Sequence, residues 1–250
     1  MVFVDGQNLF NAAKAAFGYP YPNYDPVALA DRVCAANGWT RSQIRFYTGM
    51  PGAAEDPRRH RFWTNKLVVL RRQGVHVFTR PIRYRDKVTH WPLNVRICPP
   101  GGPELPSGTT LHLADGSLLP ADTQFRVRGA DEKGVDIRLA IDIFKLALED
   151  AYDLALVFSQ DQDLSEVAEE IPVLARSQRR WIRIACAFPD SPTAANHRGI
   201  NRTQWVVIDQ ATYDACIDPF DYRTGVPPAP RPSAPPAPPP GGSSPPSPGS

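Results

Sequence analysis

The sequence predicts an α/β fold: a mostly parallel sheet with helices on both faces. Three observations carry this expectation. Its candidate strands are apolar throughout, as strands covered on both faces must be. They alternate with segments of helical periodicity. Two helix starts carry the same Asp-Pro pair, Asp25-Pro26 and Asp56-Pro57, in which aspartate caps the helix and proline supplies its first residue.

The elements follow in order. Val2 to Val4 is a short apolar run ending at Asp5-Gly6 and reads as a buried first strand, and Asn8 to Ala16 reads as a helix. The Asp25-Pro26 start opens a helix through Leu29, Ala30 and Val33 to the stop at Asn37-Gly38, and Ile44 to Tyr47 is a second strand. The Asp56-Pro57 helix closes at Gly74 and leads into a third strand, Val75 to Thr79. From about residue 83 to 130 the pattern dissolves into Pro, Gly and Thr with short β-like pieces, so this stretch reads as an insertion built on a β-hairpin with loops. Ile137, Ala140, Ile141, Phe144 and Leu148 then recur as one face of a helix, which is expected to be its core face. Leu154 to Phe158 is an apolar strand, Leu164 to Ala175 a helix, Trp181 to Ala187 a strand, and Trp205 to Ile208 a last short strand before a helix from Asp209.

A chain of 250 residues can bury a sizeable core, but its 28 prolines are unevenly spread: 12 fall within the 24 residues from Pro227 to Ser250. Those residues carry one charge, Arg231, and no aromatic, so they can bury too little to offset their ordering entropy. The expected division is a folded domain over 1–223 and a disordered, Pro-rich tail over 224–250, partly polyproline II and suited to recruiting a protein partner. No run of eighteen apolar residues exists and no basic leader precedes Val2, which argues against a membrane span or secretion. Cys34, Cys98, Cys186 and Cys216 are too far apart to form a zinc or redox pair and read as reduced thiols of a cytoplasmic protein. Net charge is only +2, yet residues 1–130 hold 17 Lys+Arg against 9 Asp+Glu, while residues 131–226 hold 10 against 17. Such a division suits a protein that grips a polyanion with one region and gathers carboxylates, around metal, with the other.

Ligands of open parallel sheets bind beyond the carboxyl ends of the strands. Asp5 follows the first strand there, Asp161 and Asp163 follow the fourth, and Asp136 opens the long helix after Lys133-Gly134. One aspartate in such a place is ordinarily a helix cap. Four at one edge repel one another unless a divalent cation neutralises them, and hard oxygen ligands suit Mg2+ or Mn2+.

The strings VDGQN at Val4 to Asn8, EKGVDIRLAID at Glu132 to Asp142 and SQDQDL at Ser159 to Leu164, in this order, resemble the three signatures of the NYN domain family, the PIN-like, LabA-like ribonucleases. The resemblance spans roughly residues 1 to 215 apart from the insertion. It implies a PIN-like, Rossmann-like α/β sandwich and a metal-dependent nuclease. By motif position it implies that Asp5, Asp136, Asp161 and Asp163 bind the metal. Asn8 would orient Asp5 or the scissile phosphate, and Ser159 would hydrogen-bond a carboxylate or a metal-bound water. Asp142 matches a further acidic position, but helical geometry points it away from the Ile137/Ile141/Phe144 face, so it is a secondary candidate. Gln160 stands where a small residue is usual, and Leu164 where an aromatic is common.

Between Pro57 and Arg96 there are eleven Lys+Arg and one acid, Asp86, with aromatics interleaved. On the helix, Trp63, Leu67 and Leu70 form an inner face, with Arg58, Arg61, Asn65 and Arg72 opposite it. The run continues through Arg80, Arg83, Arg85 and Lys87 without acidic partners in sequence, which favours contact with the phosphates of single-stranded RNA. The competing expectation is a catalytically silent RNA-binding or scaffold module of the same fold. An aspartate-nucleophile phosphatase fits less well, because Gly6-Gln7 follows Asp5 where a second aspartate would be needed.

Overall fold

A computed structural model describes residues 1–21, 23–90, 116–117, 124–131 and 133–224. The strands are β1 (Val2–Asp5), β2 (Ile44–Met50), β3 (His76–Pro81), β4 (Arg83–His90), β5 (Gln124–Asp131), β6 (Leu154–Phe158), β7 (Arg183–Pro189) and β8 (Gln204–Ile208). The α-helices are α1 (Gly6–Phe17), α2 (Pro26–Ala36), α3 (Pro57–Arg72), α4 (Val135–Leu148), α5 (Ser165–Gln178) and α6 (Gln210–Asp214). Six strands form one sheet in the order β3-β2-β1-β6-β7-β8, and every neighbouring pair is parallel. From β1 the chain steps outward to β2 and β3; from β6 it steps the other way to β7 and β8. The order therefore reverses between β1 and β6, the place where the crossovers part and a crevice opens.

Alternate residues of the central strands β1, β6 and β7 enter two different cores, which is why those strands are apolar almost throughout. Val2, Val4, Ile44, Phe46, Leu156 and Phe158 pack against α1, α2, α3 and α6. Phe3, Tyr47, Ala155, Val157, Cys186 and Phe188 pack against α4 and α5. Asp25 and Asp56 cap α2 and α3 as their Asp-Pro pairs predict, accepting from Val27 and Ala28 N–H and from Arg59 N–H respectively. The hairpin expected in the insertion is present among the described residues: β4 and β5 pair antiparallel, from Arg83 opposite Asp131 to His90 opposite Gln124, as a separate two-stranded sheet. The stretches 91–115 and 118–123, like the Pro-rich tail from 225 onward, lie outside the described residues. Cys34, Cys186 and Cys216 are buried free thiols, and Cys98 is outside the described residues. Among the described residues no helix is long and apolar enough to cross a membrane.

One expectation is overturned on α4. The face of Ile137, Ile141, Phe144 and Leu148 is turned outward, with Ile137 67% exposed, and the buried face is Val135, Leu139, Asp142, Ile143 and Ala147. Both stripes have helical spacing, so periodicity alone does not choose between them. The chosen stripe brings Asp142 to Tyr47 and Arg45 of β2, where its carboxylate is satisfied. A smaller correction concerns α3. Its buried side is wider than Trp63, Leu67 and Leu70, taking in Phe62, Lys66 and Val69, because Phe220 and Tyr222 of the C-terminal segment pack there. Asn65 leaves the basic face and donates to Tyr222 O at 2.8 Å.

Candidate functional site

Asp5 is the last residue of β1 and also the N-cap of α1: its Oδ1 accepts from Asn8 N–H at 3.0 Å. The strand leads into the helix without a linker because Gly6 has no Cβ; one placed there would lie 2.5 Å from the Phe46 ring. Across the switch point, Ser159 follows β6 and is fully buried. Its hydroxyl donates to Asp5 Oδ2 at 3.1 Å and accepts from Asp161 N–H at 3.1 Å. Asp161 then caps the 3-10 turn Gln162–Leu164, its Oδ1 accepting from Asp163 N–H at 3.1 Å. A single hydrogen-bonded relay thus runs Asp5, Ser159, Asp161, Asp163 and ties the first motif to the third.

Asn8 adds a second tie. Its side-chain oxygen accepts from Gln160 N–H at 2.8 Å, so its amide orients the loop after β6 while its backbone N–H caps Asp5. The longer side chain of Gln160 is absorbed outside the crevice, donating to Asn196 O at 3.2 Å and Arg198 O at 2.9 Å. Leu164, at the position where an aromatic is common, is a buried member of the core beneath α4 and α5.

Asp136 lies in the first turn of α4, behind the left-handed Gly134. Burial first, then the charges of Asp161 and Asp163, hold its carboxyl above the ordinary carboxylate range. Three carboxylates therefore share one electrostatic neighbourhood, and the relay joins Asp5 to it. The spacing is open, however: among the described residues no three His, Cys, Asp or Glu side chains are gathered closely enough to form a ready cation cage. In charge and in hard oxygen donors the set fits Mg2+ or Mn2+. In spacing it would have to draw in around the ion.

Asp142 does not join this set. It is 3% exposed, accepts from the Tyr47 hydroxyl at 2.8 Å, and forms ion pairs with Arg138 at 3.0 Å and Arg45 at 3.4 Å. Two guanidinium groups against one carboxylate leave no electrostatic demand for a cation. Arg58, Arg61, Arg72, Arg80, Arg83 and Arg85 are all exposed. Arg80 lies 5.5 Å from the Phe78 ring centroid. Sequence reasoning missed the burial of Lys66, because a lysine on a helix of mostly exposed cations carries no local sign of it.

Comparison with known proteins narrows the reading. Residues 117–191 match the NYN domain family model. This is a PIN-like nuclease family, so the resemblance read from the three motifs is borne out over that stretch. It contains the second and third motifs whole, and the fold brings the first motif, which precedes it in sequence, against the third. The NYN match carries a nuclease, RNA-related function at the level of the family. No curated protein matches the chain. Among solved structures, a Vibrio parahaemolyticus protein of unknown function is similar, at 16% identity and a TM-score of 0.44, over 84% of this chain and 91% of that one.

Proposed function

We propose that this protein is a divalent-metal-dependent ribonuclease. The observation that carries the proposal is the relay from Asp5 through Ser159 to Asp161 across the β1/β6 switch point, with Asp136 beside it, its carboxyl held high by burial and then by the charges of Asp161 and Asp163. Asp5, Asp136, Asp161 and Asp163 would hold Mg2+ or Mn2+, which when bound polarises the phosphate and lowers the pKa of water. The residues of the chain do the positioning. Ser159 uses its one proton on the Asp5 carboxylate and one lone pair on Asp161 N–H, so it ties that carboxylate to the backbone that carries Asp161. Asn8 holds the loop that carries Asp161 and Asp163. The exposed arginines of α3, with Arg80, Arg83 and Arg85, bind the RNA backbone, and the cytoplasm is the compartment in which buried free thiols persist.

Asp161→Asn tests the site, because the amide keeps the shape and loses the charge that holds the ion. Incubated with labelled single-stranded RNA and Mg2+ or Mn2+, wild type should cleave and the variant should not, with unchanged circular dichroism. Cleavage by the variant, or by wild type in chelator, would refute the metal mechanism. A catalytically silent RNA-binding module is the second reading, favoured by the open spacing of the carboxylates. RNA binding by wild type with no cleavage in either metal would select it.

A further inference from the structure

A cavity of about 390 Å³ opens between α1 and α3, within the size range of small-molecule sites. It adjoins the chain at Asp5, since Gly6 and Gln7, the two residues that follow Asp5, line it. Its walls are a run of aromatic rings meeting edge to face: Phe10 with Tyr21 at 5.6 Å, Tyr21 with Phe62 at 5.7 Å, and Phe62 with Trp63 at 5.3 Å between centroids. Lys14 and Arg59 line it as well, and among the described residues that line it none is acidic. At its inner end Lys66 is buried, donating to Tyr24 O at 2.6 Å and to Asn23 Oδ1. Tyr24 lines the cavity too, and its hydroxyl is buried with no hydrogen-bond partner among the described residues.

We infer that this cavity receives an unpaired nucleobase of the RNA, stacked among the rings of Phe10, Tyr21 and Trp63, with the adjoining phosphate on Lys14 and Arg59. The inference deepens the ribonuclease reading and rests on it for the identity of the polymer. Flat aromatic walls suit any base, because every base presents a π face. The side-chain amides of Gln7 and Asn11, which also line the cavity, can meet the polar edge of a base. Charge chooses between RNA and the chain's own Pro-rich tail, the other ligand that aromatic grooves accept. The described chain ends at Thr224, and the Arg223 guanidinium is over the Tyr21 ring at 5.1 Å, so this end of the described chain lies near the cavity. Residues 225–250 hold no acidic side chain and one base, Arg231, so their side chains bring no negative charge to Lys14 and Arg59, whereas a phosphate does.

The test uses the full chain carrying Asp161→Asn, in chelator, so that binding is read without cleavage. Fluorescence anisotropy follows a labelled eight-nucleotide single-stranded RNA in which one abasic position is moved along the strand. Loss of the base at one or two positions should weaken binding about 5- to 100-fold, with little effect elsewhere. Tyr21→Ala, at a half-exposed position where truncation spares the core, should weaken the intact RNA and abolish its sensitivity to the abasic site. Equal binding of all abasic strands, or an unchanged response in Tyr21→Ala, overturns the inference. So does displacement of the RNA by a peptide of residues 227–240, which would give the cavity to the tail. A nucleoside monophosphate that binds as tightly as the RNA overturns it in favour of a free nucleotide. Position-dependent binding in a protein whose wild type never cleaves would sink the ribonuclease reading and leave the base site standing.

Discussion

Asp136 and Asp142 lie about 120° apart around α4, and their surroundings assign them opposite roles. Asp136 is held by burial first and by like charges second in a setting where its native carboxyl favours the protonated form more than the unfolded chain does. Stability from this group is present below the unfolded pKa and lost as pH climbs through the raised native one, above which its charge is a cost to the fold. Asp136→Asn should therefore raise the melting temperature in chelator at pH 7, and added Mg2+ or Mn2+ should raise the wild-type melting temperature by more than the variant's. Asp142 meets two guanidinium groups and the Tyr47 hydroxyl, so Asp142→Ala strands three buried or half-buried partners. Urea denaturation should show a loss of about 3 kcal/mol, the scale of a broken buried ion pair. Lys66 is the third residue whose environment is informative. Burial lowers its ammonium to about 8 from 10.5, against the nearby charges of Asp218 and Asp25. Between those two values the unfolded chain keeps a proton that the native lysine has released, so this group adds stability as pH rises, at up to about 1.4 kcal/mol per unit. Lys66→Met lacks that slope. Its stability relative to wild type should fall steadily from pH 8 to 10.5, and parallel curves would show that the native lysine titrates normally.

At the scale of elements, α3 has two jobs that its sequence superimposes. Phe62, Leu67 and Leu70 hold it to the sheet and the C-terminal segment, while Arg58, Arg61 and Arg72 face solvent. Gln at these three arginines together should leave the fold intact and reduce the salt slope of single-stranded RNA binding by about 0.7 for each phosphate that is no longer neutralised. Substrate affinity should fall more than turnover, since backbone contacts serve the ground and transition states alike. Unchanged affinity and slope would mean that α3 is solvated surface and that the β4/β5 hairpin is the RNA-holding element. The helix α4 shows the other kind of ambiguity. Two apolar stripes, Val135/Leu139/Ile143/Ala147 and Ile137/Ile141/Phe144/Leu148, compete for the core, and with the first one inward Asp142 reaches its partners on β2.

At the scale of the whole molecule, the sheet order decides what the motifs can do. Asp5 and Ser159 lie 154 residues apart in sequence, yet they hydrogen-bond because β1 and β6 are neighbours at the reversal of strand order. The alternation of strands and helices, the Asp-Pro caps, the placing of aspartates at strand ends and the three motifs were all legible in the chain, because each depends on periodicity or spacing within a few residues. The inward face of α4, the satisfaction of Asp142, the burial of Lys66 and the cavity between α1 and α3 were not. Each is fixed by a partner distant in sequence: Tyr47 and Arg45 for Asp142, and Asn23, Tyr24 and Asp218 for Lys66. Local sequence thus determined that this is a parallel α/β protein with acidic residues at its strand ends. Only the tertiary structure decided which carboxylates repel one another and which are neutralised, because that depends on the charges packing brings within a few ångströms.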